Sequence, residues 1–176
     1  MTQYGEWLSK GYDSSTLDHR KLLVEKIAKY RPFYSLLDVG CSTGPDLALY
    51  EEAFPDTGLT GFDLGTGDIE IAKKLLASDT TILYAKDLRE HLKEIPQKQF
   101  DIVVSNGVMM YHDMKYIDEL LRITKKAVIM SEKDPYKGRS ISEYLKSNGI
   151  RYETTKIDRG TRHSWADDGF IYEIPL

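Results

Sequence analysis

The 176 residues are 41% apolar and 30% charged with a net charge of −4, the composition of one globular domain with no basic footprint for a nucleic-acid backbone. The single cysteine, Cys41, excludes an internal disulfide and suits a reducing compartment. Residues 1–6 lack the basic start and apolar stretch of a signal peptide, and no run approaches the roughly 20 apolar residues of a membrane helix, so a cytoplasmic protein away from membranes is expected.

Short β-rich apolar runs alternate with segments of helical period, the pattern of a doubly wound α/β sheet. Leu23, Ile27 and Tyr30 mark a first helix over Leu17–Tyr30, stopped by Pro32. Ser35–Val39 reads as a buried parallel strand, and a helix is expected from Pro45, a residue suited to the first helical position, to a point before Pro55. Gly58–Phe62 is the second strand, with Asp63 at its carboxyl end, and Asp68 is expected to cap a helix that runs through Leu76. Thr81–Ala85, a short helix at Leu88–Leu92 and the strongly β-patterned Phe100–Val104 follow. A helix over Lys115–Thr124 and a strand at Ala127–Met130 complete the core. Beyond it, Ser140–Ser147 reads as a helix closed by a left-handed Asn148-Gly149 cap. Tyr152–Ile157 and Phe170–Ile174 leave no room for a helix between them, so the sheet should end in an antiparallel hairpin. One domain is therefore expected, with an N-terminal lid and helix region (1–34), a core (35–132) and a closing helix and hairpin (133–176).

The chemistry-bearing feature is the strand-to-helix turn Asp38-x-Gly40-x-x-x-Gly44. Its glycines let backbone approach a ligand, while the helix behind offers free N–H groups. Asp63, about 20 residues on, stands where a carboxylate binds ribose hydroxyls. Asp87 can accept from an adenine amino group while Leu88 offers a backbone N–H, and Asn106-Gly107 follow the fourth strand. All of these lie at strand carboxyl ends, where open α/β sheets bind ligands.

With these residues in place, the chain resembles the class I S-adenosylmethionine-dependent methyltransferases, whose first motif usually reads Leu-Asp-Val-Gly-Cys-Gly-Thr-Gly. Here the run is Leu37-Asp38-Val39-Gly40-Cys41-Ser42-Thr43-Gly44. Gly61-Phe62-Asp63-Leu64 and Phe100-Asp101-Ile102-Val103-Val104-Ser105-Asn106 are similar to the second and fourth motifs, and the resemblance covers about residues 34–132. It implies a Rossmann-like, mostly parallel seven-stranded sheet with an antiparallel last strand, S-adenosylmethionine as methyl donor and S-adenosylhomocysteine as product. By resemblance, Asp38 orders the loop and the methionyl amino group, while Gly40, Ser42 and Gly44 belong to the methionyl side. Asp63 holds the ribose, Leu64 packs on adenine, Asp87 and Leu88 read its edge, and Asn106 lies near the sulfonium. Ser42, where the family commonly has glycine, is the one departure. It also breaks the Gly-x-Gly-x-x-Gly fingerprint of a nicotinamide dinucleotide at the position that must make room for pyrophosphate, which counts against an NAD-binding alternative.

The resemblance implies methyl transfer to an oxygen or nitrogen of a small-molecule acceptor, consistent with the small-molecule branch of the family. Ser105-Asn106-Gly107-Val108 is not the run of adenine or glutamine N-methyltransferases, and the only thiol sits in the cofactor loop. His112, just after the fourth strand, is a candidate base, set against a packing or gating role. His163, in Arg159–Asp168 with Arg162 and Trp165, is a second candidate, set against a solvated hairpin loop. Tyr4, Trp7 and Tyr12 suit a lid or ordinary packing; a lid from a second subunit leaves a homodimer open. No zinc or magnesium spacing is present. The competing class is a methyltransferase-like module that binds a cofactor or partner without turnover.

Overall fold

A computed structural model describes residues 15–76, 81–157 and 169–176. Among them, helix α1 (Ser15–Ala28) precedes strand β1 (Ser35–Val39), then α2 (Pro45–Ala53), β2 (Gly58–Asp63), α3 (Thr66–Leu75), β3 (Ile82–Ala85), α4 (Leu88–Glu94) and β4 (Phe100–Asn106). A single 3₁₀ turn (Met109–Tyr111), α5 (Tyr116–Ile123), β5 (Thr124–Lys133), α6 (Ile141–Ser147), β6 (Glu153–Ile157) and β7 (Gly169–Pro175) complete the order. The seven strands lie as β3-β2-β1-β4-β5-β7-β6. Pairing is parallel from β3 through β5, whereas β7 runs antiparallel to both β5 and β6. The expected sheet and its closing hairpin are both present.

Strand alternation divides the core between two faces. Leu36, Ile102, Val104, Ala127 and Ile129 pack with Leu23 and Ile27 of α1, Leu47 and Tyr50 of α2 and Ile69 of α3. The intervening Leu37, Val39, Val103, Val128 and Met130 pack with Leu92 of α4, Ile117 and Leu120 of α5 and Leu145 of α6. Both faces of the central strands are thus covered, which explains why they read as continuous apolar runs. Glu173 of β7, itself buried, receives Lys26 Nζ at 2.6 Å and Lys29 Nζ at 3.0 Å and ties α1 to the sheet. No helix among the described residues is long and apolar enough to cross a membrane.

Most element ends follow their sequence signals. Pro45 opens α2, and Gly149 at φ +67° closes α6 with Gly149 N donating to Lys146 O and Ile150 N to Leu145 O, the paired bonds of a Schellman cap. One cap differs from expectation: α3 begins at Thr66 with Gly65 as its N-cap, and Asp68 lies inside the first turn rather than before it. Gly65 N donates to Asp63 Oδ1 at 2.9 Å, so the end of β2 sets the helix start three residues early. β5 is also longer than the four residues expected, and Thr124 belongs to it rather than to the preceding helix.

Candidate active site

The strand order reverses between β1 and β4, and a cleft of about 380 Å³ opens at their carboxyl ends, lined by the end of β2 and the segments that follow β1, β2, β3 and β4. Gly40, Asp63, Leu64, Asp87, Leu88 and His112 line it together with Gly107, Val108 and Tyr111. Six of the residues expected from the sequence are therefore brought to one place. Asp38, Ser42, Gly44 and Asn106 are not on that lining, and His163, Tyr4, Trp7 and Tyr12 lie outside the described residues.

The turn after β1 is built by its backbone. Gly40 N and Cys41 N both donate to Phe62 O of β2, at 2.9 and 3.1 Å. Gly40 has φ +73°, and a Cβ there would stand 2.3 Å from Val108 Cγ2, so glycine is required for the β4 segment to approach. Ser42 has φ +49°, a left-handed conformation that serine tolerates at a modest cost, and its N–H donates to Asp63 Oδ2 at 3.0 Å. The departure from glycine is thus accommodated in the turn. Burial raises the Cys41 thiol well above its ordinary range, as expected for a packing residue rather than a nucleophile.

Asp63 joins two loops, since its carboxylate takes Ser42 N on one oxygen and Gly65 N on the other. Each carboxylate oxygen has a second lone pair, so capacity for two more donors remains. Leu64 beside it is 70% exposed, an apolar surface at the mouth of the cleft. Asp87 caps α4 by accepting Arg89 N at 2.8 Å and also holds the Arg89 guanidinium at 2.5 Å, which lowers its carboxyl to about 2. It is therefore ionised and partly engaged before any ligand arrives. Leu88, first in the helix, has a backbone N–H without an intrahelical acceptor.

Behind the turn lies a buried polar cluster. Asp38 Oδ2 is buried without a hydrogen-bond partner, and burial followed by the nearby Asp46 raises the Asp38 carboxyl well above its usual range. Asn106 donates its amide to Asp46 Oδ2 at 2.8 Å, while Arg20 of α1 stands 3.3 Å from Asp46 Oδ1.

His112 ends the 3₁₀ turn. Its imidazole is partly desolvated and faces the cations Arg89 and Arg139, so despite Asp87 it is held below its ordinary value and is neutral near pH 7. Its backbone oxygen accepts Arg139 Nη1 at 2.9 Å, and the Tyr111 and Tyr136 rings meet edge to face at 5.5 Å. The loop after β5 therefore touches the segment after β4. Asp113 accepts Lys115 N at 3.0 Å just ahead of α5. In the sequence Glu132 reads only as the start of a loop, residues 132–137, that could contribute to the acceptor pocket; it lies instead within β5, fully buried, and its carboxylate collects donors from the same segment. Its even-numbered place after Val128 and Met130 on β5 was the available signal for burial.

Residues 36–127, just over half of the chain, match the family model described as a methyltransferase domain. Among curated proteins, the malonyl-[acyl-carrier protein] O-methyltransferase of Priestia megaterium is 34% identical over 77 residues, 44% of this chain and 27% of that protein. An uncharacterised protein of Rickettsia prowazekii is 29% identical over 93 residues, 52% of this chain and 37% of its own length. The chain thus matches about a quarter to a third of the length of these relatives. Among solved structures, magnesium protoporphyrin IX methyltransferase from Synechocystis, with bound S-adenosylmethionine, superposes at TM-score 0.69 and 17% identity over 92% of this chain and 79% of that one. The plantazolicin methyltransferase, with S-adenosylhomocysteine, gives 0.70 at 14% over 89% and 83%. A methyltransferase from Archaeoglobus fulgidus gives 0.69 at 17% over 98% and 99%. The chain belongs to the methyltransferase-domain family and carries the seven-stranded Rossmann-like fold of the class I S-adenosylmethionine-dependent methyltransferases.

Proposed function

We propose that this chain binds S-adenosylmethionine across the carboxyl ends of β1 to β4 and transfers its methyl group to an oxygen or nitrogen of a small-molecule acceptor. The observation that carries this reading is the cleft bounded by the Asp63 carboxylate, with two lone pairs to spare, and the adjoining turn above Asp38. The unpartnered, buried Asp38 Oδ2 fits a cationic amino group, which would offset the cost of ionising that carboxyl. Asp63 then takes the ribose hydroxyls, Leu64 covers adenine, and Asp87 with the Leu88 N–H meets the adenine edge. Gly40, Ser42 and Gly44 shape the methionyl side. Asn106, whose amide holds Asp46, supplies contacts near the sulfonium.

When bound, the cofactor supplies an electrophilic methyl on a positively charged sulfur. The chain must then hold an acceptor atom in line behind that methyl and exclude water. The new acceptor–carbon bond forms as the sulfur–carbon bond breaks, and an alcohol or protonated amine passes its proton to a base. Neutral His112 at the cleft wall is suited to that role. A carboxylate acceptor needs no base, and Arg89 and Arg139 around His112 suit its charge. The curated relatives named as O-methyltransferases of a malonyl-acyl carrier favour this carboxylate reading. His163 remains a second candidate, residues 1–34 a candidate lid and helix region ahead of the core, and a homodimer the assembly to test.

A panel of small carboxylic acids, alcohols and amines, together with a malonyl-loaded carrier protein, tests the reading. Formation of S-adenosylhomocysteine only when an acceptor is present supports transfer. Cofactor binding with no product for any acceptor would favour a non-catalytic module.

A further inference from the structure

We propose that Glu132 is the positioning residue of the cleft: from beneath, its carboxylate fixes the 107–112 segment against the glycine turn and thereby sets cofactor affinity. The affinity clause rests on the cofactor reading above; the anchoring clause does not.

The segment after β4 has an intrinsic problem. The first amides of the 3₁₀ turn at Met109–Tyr111 have no acceptor within the turn. Here they find one across the sheet. Glu132 Oε1 accepts Met109 N at 3.0 Å, Val108 N at 3.1 Å and Ser105 Oγ at 2.9 Å, and Oε2 accepts Met110 N at 3.3 Å. Three successive amides therefore converge on one carboxylate that is fully buried. Away from water such bonds are strengthened, and an amide left there without its acceptor carries the full cost of desolvation. Nearby, Gly107 N donates to Ser131 O at 2.8 Å, so the segment is tied to adjacent residues of β5.

The consequence reaches the cleft through packing. Val108, whose N–H is held, presses its side chain onto Gly40 so closely that no Cβ would fit there. Tyr111 and His112, both cleft-lining, follow from the same turn, with Tyr111 N donating to Val108 O and His112 N to Met109 O, each at 3.0 Å. The position of Glu132 thus sets the relative position of the two cleft walls, although Glu132 itself is absent from the lining.

Amide hydrogen exchange and titration with S-adenosylhomocysteine, on wild type, Glu132→Gln and Glu132→Ala, test the proposal. Glu132→Ala is expected to speed exchange at Val108, Met109 and Met110 by about 10- to 100-fold, as leaving a buried amide without its acceptor implies, with β1 and β2 amides unchanged. The dissociation constant should rise by about 10-fold or more. Glu132→Gln keeps one acceptor oxygen and should restore most of the affinity, with the faster exchange confined largely to one amide. This gives a readout even if the alanine variant does not fold. Uniform acceleration across all amides would reduce Glu132 to a general stabiliser, and unchanged exchange at 108–110 would overturn the anchor. Local acceleration with unchanged affinity would overturn the affinity clause. A wild-type protein that ignores S-adenosylhomocysteine would refute the cofactor reading and the affinity clause with it, while the exchange pattern would still decide the anchor.

Discussion

Replacing Asp63 with alanine removes the one carboxylate that links the first glycine turn to the start of α3. Two backbone amides, Ser42 N at 3.0 Å and Gly65 N at 2.9 Å, lose their acceptor. Hydrogen bonds to a charged group contribute about 1.5–3 kcal/mol each, and because both loops border solvent the freed amides recover part of this from water, leaving a net loss of about 2 kcal/mol. For a chain of this size that lowers the melting temperature by about 4–8 °C. Cofactor binding should suffer more, since the proposed ribose contacts use the two remaining lone pairs. Their loss is about 3 kcal/mol, or roughly 100-fold in Kd for S-adenosylhomocysteine. Asp63→Asn keeps one acceptor oxygen and turns a donor toward the other loop, so it should fall between wild type and alanine on both scales. Isothermal titration and thermal unfolding of the three proteins measure the two effects separately. An Asp63→Ala protein that melts normally and binds within about threefold of wild type would refute the placement of the ribose at this carboxylate.

Glu173→Ala strands the nearly buried Lys26 ammonium and should cost about 3 kcal/mol in urea unfolding, whereas Lys29→Ala, at an exposed cation, should cost under about 1 kcal/mol. Burial pushes the Glu132 carboxyl up to about 7, above the unfolded value of about 4.3, so the folded state holds that proton more tightly. Its stabilising contribution is full below the unfolded value and is lost as pH rises through the folded one; Glu132→Gln should flatten unfolding free energy between about pH 4.5 and 7 relative to wild type. If His112 accepts a proton from an alcohol or amine, kcat/KM should fall on the acid side at a pH below the ordinary histidine range, and His112→Gln should remove that limb without weakening S-adenosylhomocysteine. For a carboxylate acceptor, the same variant should leave the profile flat.

The sheet was legible because its strands are short apolar runs separated by Gly and Pro, and because a hairpin was the only way to join the last two. The left-handed Gly149 and the opening Pro45 behaved as their chemistry requires. Asp68 did not, because an Asp is a good cap in isolation, while the Gly65 N–H held by Asp63 had already started the helix. Asn106 illustrates a second limit: its position at the end of β4 was readable, whereas its hydrogen bond to Asp46 follows from no spacing rule. Glu132 was harder still, since beside the Ser105 hydroxyl its partners are backbone amides 22 to 24 residues earlier, and backbone donors leave no trace in residue identity. Residue types reveal which groups can bind a ligand; tertiary contacts decide which of them are left free to do so.

The most direct test of the account is titration of the purified chain with S-adenosylmethionine and S-adenosylhomocysteine by calorimetry, with thermal unfolding alongside. Saturable binding of both, with a melting temperature that rises as ligand increases, is the expected result. The absence of heat and of any shift with either compound would contradict the assignment of the β1–β4 cleft as a cofactor site.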